Sequence, residues 1–324
     1  MQHGKEICRK HWIEGIKGMR YGLPYKGSKN SIAKWIVDEL PKAETFVDLF
    51  CGGGAITHRA LISGKYQKFI MNDIDGRMPQ LFIDCCRGKY TVENHTEWIS
   101  RDDFFRLKDD DGYIALCWSF GNNGKDYLYS KEIEPFKKAY HYAVFFENYG
   151  LFEQQGINIP HSTKKTIYER YTDIRHSLLD IMIGGGQLEN YTRLQANEHL
   201  QALQNLQALQ NDYRDVKIPS DSVIYCDIPY SGTNCGKYAG FNHAEFYEWA
   251  KDKENIFISE YSMPCDDFIQ IARINKRQLS TTNGATDLIE EKLYTNMKTY
   301  YQMSKEQQRR SMLNMADQMT IFDF

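Results

Sequence analysis

The stretch TFVDLFCGGGAITHRALISGKYQKFIMND, residues 45–73, decides the fold. It begins with a short apolar run, TFVDLF, that stops at three consecutive glycines, Gly52 to Gly54. Apolar residues at helical spacing follow, and KFIMND at 68–73 is a second apolar run that ends on polar residues. The order of strand, glycine turn, helix and strand predicts a β-α-β unit of the size found in nucleotide-binding proteins.

Further elements lie on both sides of this unit. SIAKWIVDEL at 31–40 has the apolar spacing of a helix. SVIYCD at 222–227 and NIFISEY at 255–261 have the composition of buried strands. RQLST at 277–281 and EEKLYTN at 290–296 are predicted to be a late pair of strands joined by a loop that contains glycine.

Between these parts the sequence changes character. Residues 88–215 are rich in Tyr, Phe, Asn, Lys and His and lack a regular alternation of strand and helix. We therefore predict an α/β domain over 20–87 and 216–300, interrupted by a mainly helical insert over 88–215. The repeat LQALQNLQALQN at 200–211 predicts one amphipathic helix, because its leucines recur every three residues and spread over about half a helix surface.

Composition limits the classes of protein and partner. The 324 residues carry 40 Lys and Arg against 43 Asp and Glu, so a net charge of -3 gives no global attraction for nucleic acid, and any basic surface must be local. No apolar run approaches the roughly 20 residues of a spanning helix, and we find no secretory signal, so we expect a cytoplasmic protein. The eight cysteines form no CxxC pair, and we predict neither a structural zinc nor any other metal.

The glycine turn has a chemical meaning of its own. Consecutive glycines allow positive φ and let a ligand approach the backbone at the start of a helix. Asp73 lies 19 positions past Gly54, which suits a hydrogen bond to a ribose hydroxyl. The turn thus predicts an adenosine-type cofactor without separating a nicotinamide from S-adenosylmethionine, and Thr57 stands where a dinucleotide fingerprint has a third glycine or alanine.

A second motif separates these cofactors. Residues 227–230, DIPY, follow a predicted strand and match the (Asp/Asn/Ser)-Pro-Pro-(Tyr/Phe) motif of amino-methyltransferases. With YKGSK at 25–29, VDLFCGGG at 47–54 and NDID at 72–75, in this order, the chain resembles the Dam-like DNA adenine methyltransferases. It departs from the family at Ile228, where a first proline is usual; because only the main-chain carbonyl of this position is needed, we expect the chemistry to survive.

The resemblance implies a Rossmann-like S-adenosylmethionine-dependent methyltransferase sheet with an inserted target-recognition domain. It also implies site-specific transfer of a methyl group to the exocyclic N6 amine of an adenine flipped out of duplex DNA. The Asp227 carboxylate and the Ile228 carbonyl would each accept a hydrogen bond from the amine, Pro229 would stiffen the motif, and Tyr230 would offer an aromatic face to the base. The residues expected to contact S-adenosylmethionine are Tyr25, Lys29, Asp48, Phe50, Gly52, Gly54, Asp73 and Asp227.

Two segments of the insert are expected to meet DNA. SFGNNGKDYLYSKEIEPFKK at 119–138 resembles the target-recognition segment of the family, and HSTKKTIYERYTDIRH at 161–176 is a second basic patch among aromatic residues. The segment at 119–138 departs from the family where base contacts lie, so no target sequence follows from it. The predicted DNA-binding residues are Asn122, Asn123, Lys125, Tyr127, Lys164 and Lys165, with Lys131, Lys137, Lys138, Arg170 and Arg175 as further phosphate contacts.

The end of the chain holds a separate motif. Residues 301–324 are predicted to be a flexible tail, and QMTIF at 318–322 resembles the short motif by which bacterial proteins bind the replication sliding clamp. Gln318, Ile321 and Phe322 are its expected anchors.

Three alternatives stay open at this stage. An RNA adenine methyltransferase would use the same chemistry. A nicotinamide-dependent oxidoreductase is supported by the glycine turn and Asp73 alone and leaves DIPY without a role. A DNA-binding module without catalytic activity leaves both motif sets unexplained.

Overall fold

The structure is a computed structural model that describes residues 20–91, 94–178, 190, 194, 201–230, 240–263, 266–279 and 286–319. The helices are α1 (Ala33–Glu39), α2 (Ala55–Leu61), α3 (Arg77–Cys86), α4 (Arg101–Leu107), α5 (Gly112–Cys117), α6 (Glu134–Phe146), α7 (Gly150–Gln154), α8 (Ile167–Ser177), α9 (His243–Ala250), α10 (Met297–Gln302) and α11 (Lys305–Met319). The strands are β1 (Thr45–Asp48), β2 (Lys68–Asn72), β3 (Leu206–Leu209), β4 (Ser222–Asp227), β5 (Ile256–Glu260), β6 (Phe268–Leu279) and β7 (Thr286–Asn296).

The seven strands form one sheet in the order β3-β2-β1-β4-β5-β7-β6. Strands β1 to β5 are parallel, whereas β7 is antiparallel to both β5 and β6. The strand order reverses between β1 and β4, and such a switch point is where open α/β sheets bind ligands, at the carboxyl ends of the strands. This mixed sheet is consistent with the fold of S-adenosylmethionine-dependent methyltransferases and confirms the predicted α/β class.

The central strands are buried on both faces, as parallel strands covered by helices must be. In β1, Phe46 and Val47 are both fully buried and belong to different hydrophobic clusters. The same alternation holds in β4, where Val223 packs in the first cluster and Ile224 in the second. The sheet therefore has a core on each side, which fixes its register and aligns the carboxyl ends of β1, β2 and β4.

The repeat at 200–211 does not form the predicted helix, and that prediction was wrong. Gln201–Asn205 is a short 3₁₀ helix, and Leu206–Leu209 is the edge strand β3, paired in parallel with β2. A three-residue step puts Leu206 and Leu209 on opposite faces of a strand, and they pack against the first and second cluster respectively. The sheet thus includes residues that the predicted boundaries assign to the insert.

Helices α4 to α8 lie within residues 88–215, and this part of the chain shares a core with the sheet. The first hydrophobic cluster includes Phe46 and Phe82, from β1 and α3, together with Trp118 and Phe152. Several of these helices begin at side-chain caps, such as the capping box of Thr166 and Glu169 at α8.

The end of the chain differs from the predicted flexible tail. Residues 305–319 form α11, which packs against β6, and the Gln308 side-chain amide donates to the carbonyls of Tyr300 (2.9 Å) and Met303 (3.1 Å). Ile321 and Phe322 lie outside the described residues, as does the side chain of Gln318. Among the helices that the structure describes, none is long and apolar enough to cross a membrane.

Candidate active site at the carboxyl edge of the sheet

The glycine turn links β1 to α2. Gly52 (φ 47°) and Gly54 (φ 69°) adopt positive φ, and the Gly54 amide donates to the Cys51 carbonyl at 2.7 Å, which closes the turn. A Cβ on Gly53 would lie 2.5 Å from the Cβ of Tyr25, so glycine is needed there for the N-terminal segment to lie on the turn. The structure therefore places Tyr25 against the glycine turn.

Two carboxylates stand beside this turn. Asp73 follows β2, and its two oxygens accept from the amides of Gly52 (2.8 Å) and Asp75 (2.9 Å). Asp48 ends β1 and accepts from the Thr57 hydroxyl at 2.7 Å, while its buried Oδ1 has no hydrogen-bond partner among the described residues. Burial, and secondarily the charges of Asp227 and Asp73, raise the pKa of Asp48 to about 7.

The DIPY motif begins at the end of β4. The Asp227 Oδ1 lies 2.7 Å from the Lys29 Nζ, and this pair joins two of the predicted motifs. Burial raises the pKa of Asp227; the Lys29 ammonium opposes this, and the Glu291 charge reinforces it. Burial also acts to lower the pKa of Lys29, but the carboxylates of Asp227 and Glu291 outweigh it, and the pKa lies above its ordinary value. Each charge of the pair therefore favours the ionised form of the other, against the effect of burial.

The rest of the motif is held from neighbouring elements. The Ile228 side chain is buried in the second cluster, and the Pro229 carbonyl accepts a 2.6 Å hydrogen bond from the His243 Nε2 at the start of α9. Tyr230 lies under Lys29, whose Nζ is 4.6 Å from the ring centroid, and against Tyr261, at a centroid distance of 4.4 Å. The motif is therefore anchored at its backbone and at its aromatic ring.

Phe50 lies among aromatic residues of the second cluster. Its ring centroid is 5.5 Å from that of Tyr213, 5.7 Å from that of Phe241 and 5.8 Å from that of Phe246. The Phe50 side chain is half-buried, so part of its ring is exposed at the carboxyl edge of the sheet.

The residues present fit an adenosine-type group. The glycine turn gives close access to backbone at the start of α2, and Asp73 stands at the neighbouring strand end. Asp48 supplies a buried carboxylate oxygen with no partner among the described residues, and Ile74 is a 52% exposed apolar side chain beside Asp73. In the part of the chain that the structure describes, no group of three His, Cys, Asp or Glu side chains is placed to hold a metal.

The predicted recognition segment forms a hairpin. Ser119 and Tyr127 pair in antiparallel fashion, and Gly121 (φ 59°) and Asn122 (φ 54°) turn the chain at its tip. The Asn122 amide donates to the Leu116 carbonyl at 2.9 Å. Phe120, beside this tip, is 67% exposed. The sequence prediction did not include this residue among the DNA contacts.

Other predicted contacts in this segment have structural partners. The Asn123 Oδ1 accepts from the amides of Lys125 (2.8 Å) and Asp126 (3.0 Å). Tyr127 is buried, and its hydroxyl donates to the Ile99 carbonyl at 2.7 Å, which corrects its prediction as a DNA contact. Lys125 remains exposed.

The predicted phosphate contacts likewise include both exposed and buried basic residues. Lys164 and Lys165 are exposed beside the start of α8. Arg170 is buried, with its Nε donating to the Val144 carbonyl at 2.8 Å, and Lys137 is buried near the Tyr129 ring. The prediction of phosphate contacts for Arg170 and Lys137 was wrong, because helix periodicity turns both residues inward.

Sequence reasoning missed the side chains that surround Tyr230. Glu291 on β7 is fully buried and accepts hydrogen bonds from the Tyr230 hydroxyl and the Lys276 ammonium. The alternation along β7 could have indicated Glu291, because this residue shares a strand face with the buried Leu293 and Thr295. An acid at such an inward position needs a partner.

The mixed α/β sheet is consistent with the fold of S-adenosylmethionine-dependent methyltransferases. Residues 25–159 match the family model described as D12 class N6 adenine-specific DNA methyltransferase. The match confirms the resemblance to the Dam-like enzymes and implies an S-adenosylmethionine-dependent DNA adenine methyltransferase. Restriction-modification and base flipping are typical of this family. No curated protein matches the chain.

Proposed function

We propose that the protein transfers the methyl group of S-adenosylmethionine to the N6 amine of an adenine flipped out of duplex DNA, with residues 227–230 as the catalytic motif. The observation that carries this proposal is the 2.7 Å pair of Lys29 and Asp227, which joins the N-terminal motif to the end of β4, one strand away from the glycine turn. The family match favours this function over RNA methylation and over hydride transfer.

The cofactor would lie along the ends of β1 and β2. Bound S-adenosylmethionine supplies an electrophilic methyl group on its sulfonium. Asp73 suits the ribose hydroxyls, the backbone of the Gly52–Gly54 turn suits close approach, and Tyr25 covers the turn. Asp48 has the burial and the charge to pair with the ammonium of the methionine part.

The amine would be held by the end of β4. The lone pair of the adenine amine is delocalised into the ring, so a catalyst must favour its localisation in the transition state. The Asp227 carboxylate and the Ile228 carbonyl can accept the two amine hydrogens and direct the lone pair at the methyl carbon. As the nitrogen–carbon bond forms, the carbon–sulfur bond breaks, and Asp227 is suited to accept the proton that the methylated nitrogen releases.

DNA would be held by exposed parts of the insert, which we propose is the target-recognition domain over 88–215. Three exposed lysines suit phosphate contacts: Lys125, Lys164 and Lys165. Lys137, in contrast, is buried. Phe120 at the hairpin tip offers an apolar surface to bases. The sliding clamp remains a proposed partner for the C-terminal motif, to be tested by clamp pull-down with and without residues 318–324.

Asp227→Ala tests the catalytic assignment. We expect transfer of labelled methyl to duplex DNA to fall at least about a hundredfold, since an oriented charge at the reacting amine is removed. Asp227→Asn keeps the shape and checks for misfolding, and Asp252→Asn, an exposed site after α9, serves as the control with unchanged activity. Near-normal turnover of Asp227→Ala in a folded protein would contradict the assignment.

A further inference from the structure

We propose that Glu291 is a positioning residue for methyl transfer: by holding the hydroxyl of Tyr230, and with Lys276 on the other carboxylate oxygen, it sets the orientation of the ring that receives the flipped base. This inference rests on the proposed function and extends it to a strand that carries none of the recognised motifs.

The contacts of Glu291 come from three separate parts of the chain. Its Oε1 accepts from the Tyr230 hydroxyl beyond β4, and its Oε2 accepts from the Lys276 ammonium on β6. The Lys29 Nζ lies 4.0 Å from Oε1 while it pairs with Asp227. Glu291 is thus the common neighbour of the catalytic tyrosine and of the lysine that pairs with the catalytic aspartate.

Burial makes these contacts obligatory. Glu291 is 0% exposed, and a buried carboxylate is tolerated only when it is paired and hydrogen-bonded. Replacing such a group with an apolar residue is often neutral or favourable for stability, so a buried ionic cluster at an active edge needs a reason other than stability. Orientation of Tyr230 supplies that reason.

The position of Glu291 in the fold suits a positioning role. It lies on β7, which is paired on both sides, by β5 and by β6, and is a rigid support. Tyr230 lies three residues past the end of β4, where its ring would otherwise rotate about its side-chain bonds. The tether at the hydroxyl and the Lys29 ammonium 4.6 Å from the ring centroid fix two points of the ring.

The protonation of the pair agrees with this arrangement. Burial, together with the charges of Asp227 and Glu291, raises the pKa of Tyr230, so the hydroxyl stays protonated and donates to Glu291. The carboxylate is then the acceptor for Tyr230 and the counter-charge for Lys276 and Lys29.

A double-mutant cycle between Glu291→Gln and Tyr230→Phe tests the proposal. Tyr230→Phe keeps the ring and removes the tether, while Glu291→Gln keeps the volume and removes the charge. We expect each single variant to lower kcat for methylation of unmodified phage DNA about ten- to hundredfold, because a small misplacement of a reacting group has this effect. The double variant should be no slower than the slower single variant, since both act through one hydrogen bond. The Kd for S-adenosylmethionine should stay within about twofold, as expected when the change affects transition-state positioning alone.

The controls separate positioning from folding. Glu290→Gln changes the adjacent acid, which is partly exposed and pairs with Arg273 at 3.1 Å, and should keep the wild-type kcat. Should Glu291→Gln fail to fold, Lys276→Met is cycled with Tyr230→Phe in its place, with the same expected loss of kcat. Additive losses in a folded double variant, or an unchanged kcat in Glu291→Gln, would overturn the role of Glu291 alone. A wild-type protein that transfers no methyl group to adenine would overturn the proposed function and this inference with it.

Discussion

Three aspartates at the strand ends differ in their partners, and the partners decide their chemistry. Asp73 accepts from backbone amides, and Asp227 pairs with Lys29, which partly offsets the effect of burial on the pKa of Asp227. Asp48 has the Thr57 hydroxyl on one oxygen only, and its pKa is raised to about 7. Asp48 is therefore the aspartate that is suited to a positively charged ligand group.

The stability of the ligand-free protein should depend on pH through Asp48. Its pKa is higher in the folded than in the unfolded chain, so its contribution to stability is full below about pH 4 and declines progressively as pH rises to about 7. Asp48→Asn should remove this dependence. The free energy of unfolding of the variant should therefore rise relative to that of the wild type, by up to about 1.4 kcal/mol per pH unit between pH 4 and pH 7. Denaturant unfolding of both proteins at several pH values measures it.

Binding of S-adenosylmethionine should depend on the same group in the opposite sense. The ionised form attracts the ammonium, so wild-type affinity should rise from pH 6 to pH 8, and Asp48→Asn should bind weakly at both. A variant that binds as tightly as wild type would remove Asp48 from the cofactor site.

At the level of elements, apolar runs predicted the parallel strands well. β1, β2, β4 and β5 lie where TFVDLF, KFIMND, SVIYCD and NIFISEY predict them, because strands buried on both faces are continuous in hydrophobicity. β3 was not predicted, since its leucines serve two cores on opposite sides of the sheet and produce a spacing that mimics a helix.

The candidate site divides in the same way between what sequence predicts and what it does not. Motif residues on neighbouring strand ends were predicted, because parallel strands bring their carboxyl ends together. Glu291 and Lys276 were not, since their contact with Tyr230 depends on the pairing of β6 with β7 and of β7 with β5. The predicted DNA contacts of Tyr127 and Lys137 failed, because the burial of these residues depends on tertiary packing among residues 88–215.

The repeat offers a test of β3. Residues 200–205 and 206–211 have the same sequence, LQALQN, so deletion of either copy leaves one LQALQN before Asp212. We expect the shortened chain to form β3 and to keep the hydrogen bonds between Asn72 and the backbone of Asn211. Its free energy of unfolding should fall less than that of Leu209→Asp, which buries a charge in the second cluster. Loss of cooperative unfolding in the deletion variant alone would show that the first copy is essential.

On the scale of the whole molecule, a net charge of -3 accompanies an uneven distribution of charge. Acids gather at the carboxyl edge of the sheet, where they have buried partners. The exposed lysines include Lys125, Lys164 and Lys165, which lie in the sequence between β2 and β3. We therefore expect DNA binding that is moderate in strength and sensitive to salt.

The salt dependence of binding tests this distribution. The double variant Lys164→Gln, Lys165→Gln should weaken binding and reduce the slope of log K against log salt by up to about 2, because each lysine would neutralise one phosphate. Lys217→Gln, an exposed lysine after β3, is the control with an unchanged slope. Equal slopes for the double variant and wild type would exclude this patch from the DNA interface.

Methyl transfer to the N6 amine of adenine in DNA can be measured by incubating the protein with labelled S-adenosylmethionine and unmodified duplex DNA. The DNA is then digested to nucleosides, and the products are separated. We predict that the label appears in N6-methyl-2′-deoxyadenosine and that the Asp227→Ala variant produces no labelled nucleoside. Label confined to cytosine, or no label from correctly folded protein, would contradict methyl transfer to adenine.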